Sequence, residues 1–271
     1  MSASAEPDAT AAHRLFRRHL RFVQSPGSIR GELADDFHGF AVTLDHADGA
    51  ITRVSGSGLR TPWTTCRLAP TALGALVGLP LQACVSDFIR QTPARAQCTH
   101  LFELAALAAS HALRPAATVD YAIEVPYPLG CGAAPAKLRR DGRALFEWVV
   151  TRPGSHGAST PMLEHVVGSD TIVAPEPFAG RAVRTLLPWA RDAFDAADYD
   201  AVYILRRAVG LSAGRLLDLD APDVDIAALL FKQKLGDCFT FQPEHAATTR
   251  RIAGSTIDFT DDPDALLPAD R

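Results

Sequence analysis

The residues of this 271-residue chain best suited to chemistry gather in its first half. Asp35, Asp36 and His38 stand together, Cys66 follows a Thr61-Pro62-Trp63 break, and Cys98-Thr99-His100 leads to Glu103. Asp36 and His38 are two apart, so a regular strand would carry both on one face. Cys66 and Cys98 each fall just ahead of a helical pattern, where unpaired N–H groups and the helix dipole favour thiolate over thiol. Two thiolates, an imidazole and a carboxylate form a tetrahedral set suited to Zn²⁺, to Fe²⁺ or to the iron of a cluster. His100 and Glu103, at i and i+3 on one helix, would face the same way and serve hydrogen bonds to the ligands or proton transfer. The spacing contains neither C-x-x-C nor H-E-x-x-H, and two buried thiols beside a satisfied histidine account for the same residues.

Other candidates carry less. Cys238 shares the polar stretch GDCFTFQPEHA with Gln242 and His245, and a packed thiol explains it as well as a site does. Cys131 lies in a turn-like YPLGCGAAP, and Cys84 in an apolar pattern that reads as core. Arg206-Arg207 could clamp an anion, although two arginines on a helix usually form a solvated face. G-x-G-x-x-G and G-x-x-x-x-G-K-[ST] do not occur in the sequence, which disfavours nucleotide binding by those loops.

The elements that must position these residues read as an α+β protein. RLFRRHLRFVQ fits a partly exposed strand. FAVTLDH and AITRVSG alternate on either side of an Asp48-Gly49 turn, and AKLRRDGRALFEWVVT repeats the pattern around Asp141-Gly142. LAPTALGALVGL, Val85–Arg90, Thr99–Leu113, LLPWARDAF and DYDAVYILRRAVGLSAGRLLDL read as helices, with a further short one at 224–231. Val202, Leu205 and Val209 mark the buried side of the long C-terminal helix. The order of elements suggests a disordered tail (1–13), a first lobe (14–116) and a second α+β lobe (117–271) that closes a pocket.

Composition narrows the class of function. Hydrophobic residues at 47% support a packed core, and 27 Lys+Arg against 31 Asp+Glu leave a net charge of −4, which argues against a nucleic-acid partner held by a basic surface. No apolar run reaches the ~20 residues of a membrane span. A cytoplasmic protein with a small-molecule partner is expected, and a homodimer is compatible with the sequence.

DDFH, RTPWTTC, CTHLFEL, ILRRAVG and CFTFQPE resemble, over most of the chain, a bacterial family catalogued as a domain of unknown function. Its motifs are acidic-acidic-aromatic-His, P-[WY]-x-x-C and C-T-H-L in this order, and the resemblance implies no activity. Over about residues 30–113 the chain is also similar to iron–sulfur scaffold proteins of the IscU and SufU type. That resemblance rests on DDFHGFAVTLDHADGAITRVSGSG, Cys66, APTALGALVGLPL and TPARAQCTHLFELAALAASHAL. It implies an antiparallel hairpin sheet with helices on one face, and puts Asp36 and His38 at the Cys-x-Asp positions and Cys66 and Cys98 at the later cysteines. Asp36 stands where that family has its first ligand cysteine, and about six residues (LRTPWT) are added before Cys66. The expectation is therefore a metal centre of Asp36, His38, Cys66 and Cys98 holding Zn²⁺ (alternatively Fe²⁺ or an iron–sulfur cluster), with His100 and Glu103 as catalytic groups. The activity expected is that of a metal-dependent lyase, hydratase or hydrolase on a small organic acid, aromatic or acyl substrate. The alternative is a metal or sulfur scaffold or carrier.

Overall fold

Leu15–Ser25 alternates so that Phe16, Arg18, Leu20 and Phe22 point to one side, and all four are buried in the computed structural model. The structure describes residues 14–127, 133–152, 170–216 and 236–267. This strand, β1, pairs antiparallel with β2 (Ser28–Asp35) on one side and with β5 (Thr118–Pro126) on the other. Around it runs one eight-stranded sheet in the order β4-β3-β2-β1-β5-β6-β7-β8. The remaining strands are β3 (Gly39–Ala47), β4 (Ala50–Arg60), β6 (Ala134–Arg140), β7 (Arg143–Thr151) and β8 (Thr171–Ala174). All seven pairings are antiparallel.

Two hairpins follow from local chemistry. Asp48 (φ 51°) with Gly49 (φ 76°), and Asp141 (φ 52°) with Gly142 (φ 75°), occupy the left-handed region that a tight two-residue turn demands and that Asp-Gly tolerates. The strand expected to be partly exposed is so on one face, and it lies in the middle of the sheet. Its odd-numbered side meets solvent and its even-numbered side carries core, which is why β1 reads as apolar and basic residues interleaved. The two expected lobes share this sheet, since the hydrogen bonds from β1 to β5 run across the boundary drawn at residue 116.

The helices lie against the sheet. α1 (Val85–Ile89) precedes α2 (Thr99–His111), which packs on β2 and β3. α3 (Leu186–Ala193) is followed by α4 (Ala196–Ser212), which packs on β5 and β6, and by the one-turn α5 (Pro243–Ala246). Asp195 caps α4 by accepting the N–H groups of Ala197 and Asp198 at 2.9 Å. Val202, Leu205 and Val209 are fully buried, as their spacing implies. One buried carboxylate ties three helices: Asp200 on α4 accepts Val85 N–H (2.9 Å) and the Ser110 hydroxyl (2.7 Å).

LAPTALGALVGL does not form an α-helix. Thr64–Leu76 is a 3₁₀ run containing Pro70, which lacks an N–H for an α-helical ladder, and Gly74, which lowers helix propensity. The run lies on β4, where a Cβ on Gly56 would come within 2.7 Å of Leu73 Cδ1, so glycine is needed for this close approach.

The tail (1–13), Cys131, the expected helix at 224–231 and most of the loop from Pro153 lie outside the described residues. Among the described residues, no helix is long and apolar enough to cross a membrane.

Candidate functional site

The end of β2 decides which aspartate meets the histidine. Asp35 is the last residue of β2 and Gly39 the first of β3, so Asp36, Phe37 and His38 form the reversal between them. The two-residue period of a strand does not apply there, and Asp36 and His38 part company. Asp35 folds over the turn. Its Oδ1 accepts the N–H of Phe37 (2.9 Å), the N–H of His38 (2.8 Å) and Nδ1 of His38 (2.9 Å). Its Oδ2 accepts from Nη1 of Arg18 at 2.7 Å, with both side chains fully buried.

Burial alone would raise the Asp35 carboxyl, but His38, Arg18 and the Phe37 N–H together hold it well below the usual carboxylate range. An ionised carboxylate only accepts, so His38 turns a protonated Nδ1 to Asp35, and its neutral tautomer presents Nε2 as a lone pair. The His38 ring stacks on His100, with centroids 3.8 Å apart and planes 27° from parallel. His100 comes from the first turn of α2. Burial first, then the neighbours His38, Arg207 and Arg18, push its pKa well below the usual value, so the ring is neutral at pH 7. Its Nε2 is buried and has no hydrogen-bond partner.

Asp35, His38 and His100 each offer a ligand-capable atom within 4.8 Å of the other two, the one such group of three or more among the described residues. Beneath it lies a buried charge chain. Arg18 bridges Asp35 and Glu103, with Nη2 at 3.1 Å from Glu103 Oε2, and Arg207 Nε on α4 reaches the same oxygen at 3.1 Å. Glu103 Oε1 is buried and unpartnered. Arg207 is therefore a partner of this carboxylate rather than part of a solvated face, and Arg206 donates to the carbonyls of Val183 and Arg184 at 3.0 Å.

The four expected ligands are not brought together as one group. Asp36 turns away from His38: its Oδ1 accepts the N–H of Arg17 (3.3 Å), and its Oδ2 faces Nε of Arg215 at 3.2 Å. Burial outweighs these favourable contacts and raises its pKa to about 7. Cys66 is the third residue of the 3₁₀ run rather than the residue before a helix, and its Sγ lies 3.1 Å from Thr240 Oγ1. Cys98 caps α2. Neither thiol is favoured as thiolate: burial pushes Cys66 up to about 11 and Cys98 up to about 12, exceeding what the helix-start N–H groups contribute. Cys84 is buried at the start of α1, near Ser86.

Cys238 lies closer to the other thiols than its sequence position suggests. Thr240 Oγ1 stands 3.1 Å from Sγ of Cys66, and the N–H of Phe239 donates to the carbonyl of Gln97, the residue before Cys98. His245 stacks on Phe239 instead of turning to the site (centroids 4.3 Å). Sequence reasoning named Asp35 beside the site without giving it a role, read Arg207 as an anion clamp or a solvated face, and passed over Arg18. Arg18 gave a signal in retrospect, as a charge on the apolar side of an alternating strand.

The fold and site thus define an α+β protein with a one-sided helical layer and a buried Asp–His–His group at one end of α2. Residues 31–114 match the family described as "Protein of unknown function (DUF2889)". That stretch runs from β2 through α2 and contains Asp35, Asp36, His38, Cys66, Cys98, His100 and Glu103. No curated protein and no solved structure matches the chain, and likeness to the IscU type gains no support from these comparisons.

Proposed function

We propose that the chain is a metal-dependent enzyme in which His38 and His100 hold the ion and Asp35 fixes the His38 ring. The observation that carries this reading is the buried, unpartnered Nε2 of His100 beside a histidine whose own Nε2 is left free by Asp35. A neutral imidazole is the ligand form, and a lone pair buried without a donor is costly unless something occupies it. Zn²⁺ and Fe²⁺ both suit imidazole donors. Bound there, the ion would supply Lewis acidity or an activated water, which suits lyase, hydratase or hydrolase chemistry on a small organic acid, aromatic or acyl compound.

The chain's own contributions are distinct. Asp35 sets the tautomer of His38 and fixes the direction of its ring. Arg18 and Arg207 both pair with Glu103 Oε2, and its free Oε1, one helical turn from His100, can accept a proton. A metal or sulfur carrier must expose its site to partners. The burial of Asp35, His38 and Glu103 favours the enzyme.

Metal content of the full chain purified without added metal, followed by titration with Co²⁺, tests the reading. Binding of one equivalent that disappears in His38→Ala and in His100→Ala is expected. A wild-type chain that binds no metal, or two variants that bind as it does, would overturn it.

A further inference from the structure

Two contacts fix how α2 and α4 run past each other. Ser110, near the end of α2, donates to Asp200 near the start of α4 at 2.7 Å, and Arg207 donates to Glu103 near the start of α2 at 3.1 Å. The seven residues from Ser110 back to Glu103 match the seven from Asp200 on to Arg207, so the two helices run antiparallel with these faces together. One turn beyond the second contact, the same register sets Gly210 against His100. At that level Nε2 of His100 is buried without a partner, and Oε1 of Glu103 is in the same condition one turn away.

Gly210 is half-buried in the interior of α4, where glycine weakens a helix relative to alanine. Packing does not call for it, since a Cβ at Gly210 would meet nothing among the described residues within 4 Å. At Gly214 a Cβ would come within 2.9 Å of the Phe37 ring, so the reversal that carries His38 bounds the space on that side. What Gly210 gives is room beside His100. Arg207 supplies the complementary chemistry. Its Nε is held by Glu103, yet Nη1 and Nη2 have no partner among the described residues, and the side chain is 28% exposed. A guanidinium pinned through its inner nitrogen points its outer fork one way, and that fork fits a carboxylate with two parallel bonds. Asp35 and Glu103 are already matched by Arg18 and Arg207. An ion on two neutral imidazoles would therefore keep its positive charge for an incoming anion.

We propose that the space between α2 and α4 at the level of His100 is the substrate site, with a carboxylate of the substrate taken between Nη1 and Nη2 of Arg207. Gly210 leaves room for the rest of the molecule beside His100. The substrate, on the metal-dependent function proposed above on which this rests, is a small organic acid rather than a neutral aromatic or acyl compound.

Ligand-observed NMR on the full chain, metal-stripped and then with one equivalent of Zn²⁺, reads the affinity for butyrate and benzoate, with butyramide and benzamide as uncharged twins. One acid or both should bind about tenfold or more tightly than its amide, as a bond to a charged group implies. Arg207→Lys keeps a charge beside Glu103 but loses the fork, and Gly210→Leu fills the space; each should weaken the acid by about tenfold while Zn²⁺ uptake stays that of the wild type. Should Arg207→Lys fail to fold by circular dichroism, Gly210→Leu decides the matter, because its side chain enters open space. Acids that bind no better than their amides, or a folded Gly210→Leu that binds them as the wild type does, would overturn the proposal. A chain that takes up Zn²⁺ but ignores both acids loses the substrate site and keeps its metal function. A chain that takes up no Zn²⁺ yet binds an acid through Arg207 and Gly210 loses the metal function and keeps the carboxylate site.

Discussion

His38 and His100 stack ring on ring at 3.8 Å, one from a strand reversal and the other from the first turn of the helix that packs on those strands. Two protonated imidazoles could not share this contact, and the structure makes the arrangement asymmetric. His38 is tied to an ionised Asp35, while His100 is surrounded by Arg18, Arg207 and His38 and stays neutral. The stack orders two lone pairs at one place without placing two charges there.

Asp35 should be the most informative position for metal affinity. In Asp35→Asn the His38 N–H loses an ionised acceptor, and the ring loses the bond that orients it. Loss of such a partner typically weakens metal binding 10–100-fold. Competition titration of the variant against a chelator of known affinity should show a loss in that range, whereas Asp36→Asn should bind as the wild type does.

Glu103 is held by two arginines, with its side chain 1% exposed. Glu103→Gln removes the charge and leaves Arg207 facing a neutral amide. Breaking one member of a buried ion pair typically costs 3–5 kcal/mol. Arg18 keeps Asp35 as a partner, so a loss of about 3 kcal/mol by denaturant unfolding is expected. A loss under 1 kcal/mol would show that water reaches this chain of charges.

Gly56 tests the seating of the 3₁₀ run that carries Cys66. In Gly56→Ala the added methyl would meet Leu73 Cδ1 at 2.7 Å and Leu101 Cδ2 at 3.3 Å. Leu73 and Leu101 are both buried and have little room to swing away. Overpacking of this kind typically costs 1–3 kcal/mol, and a fall in Tm without change of secondary structure should report it.

Much of the fold was legible because its signals are local. Alternation in FAVTLDH and ALFEWVV, two Asp-Gly turns and the uninterrupted stripe of α2 each fix an element from its own residues. The pairing of β1 with β5 is not written locally, since antiparallel neighbours far apart in sequence are selected by burial of the shared face. The same limit governed the site. The cluster DDFH announced itself, yet the choice between Asp35 and Asp36 depends on where β2 ends, and a shift of one residue exchanges a histidine partner for an arginine. Cys238 could be named from the sequence, but the return of its segment to the residue before Cys98 depends on the hydrogen bond from Phe239 to Gln97.

Asp36 gives a pH dependence with a definite sign. Its carboxyl titrates near 7 in the folded chain because of burial, offset only in part by Arg215 and the N–H of Arg17 and reinforced by Asp35 and Asp258. In the unfolded chain it titrates near the ordinary value of 3.8. The folded state therefore holds a proton more tightly, and the contribution of this group to stability is fully present below about pH 4 and is lost as pH rises towards 7. Buried His100 and His111 work the other way: both are held below their ordinary value, His111 to about 3, so their contribution falls as pH drops below 6.5. The two trends overlap between pH 4 and 6.5, and a single stability profile would mix them. The difference between wild type and Asp36→Asn isolates the carboxyl. Wild-type unfolding free energy relative to the variant should decline by up to about 1.4 kcal/mol per pH unit between pH 4 and 7, then level off above 8. A difference that is flat across this range would mean that Asp36 is already ionised at pH 5 and that its pairing with Arg215 outweighs its burial.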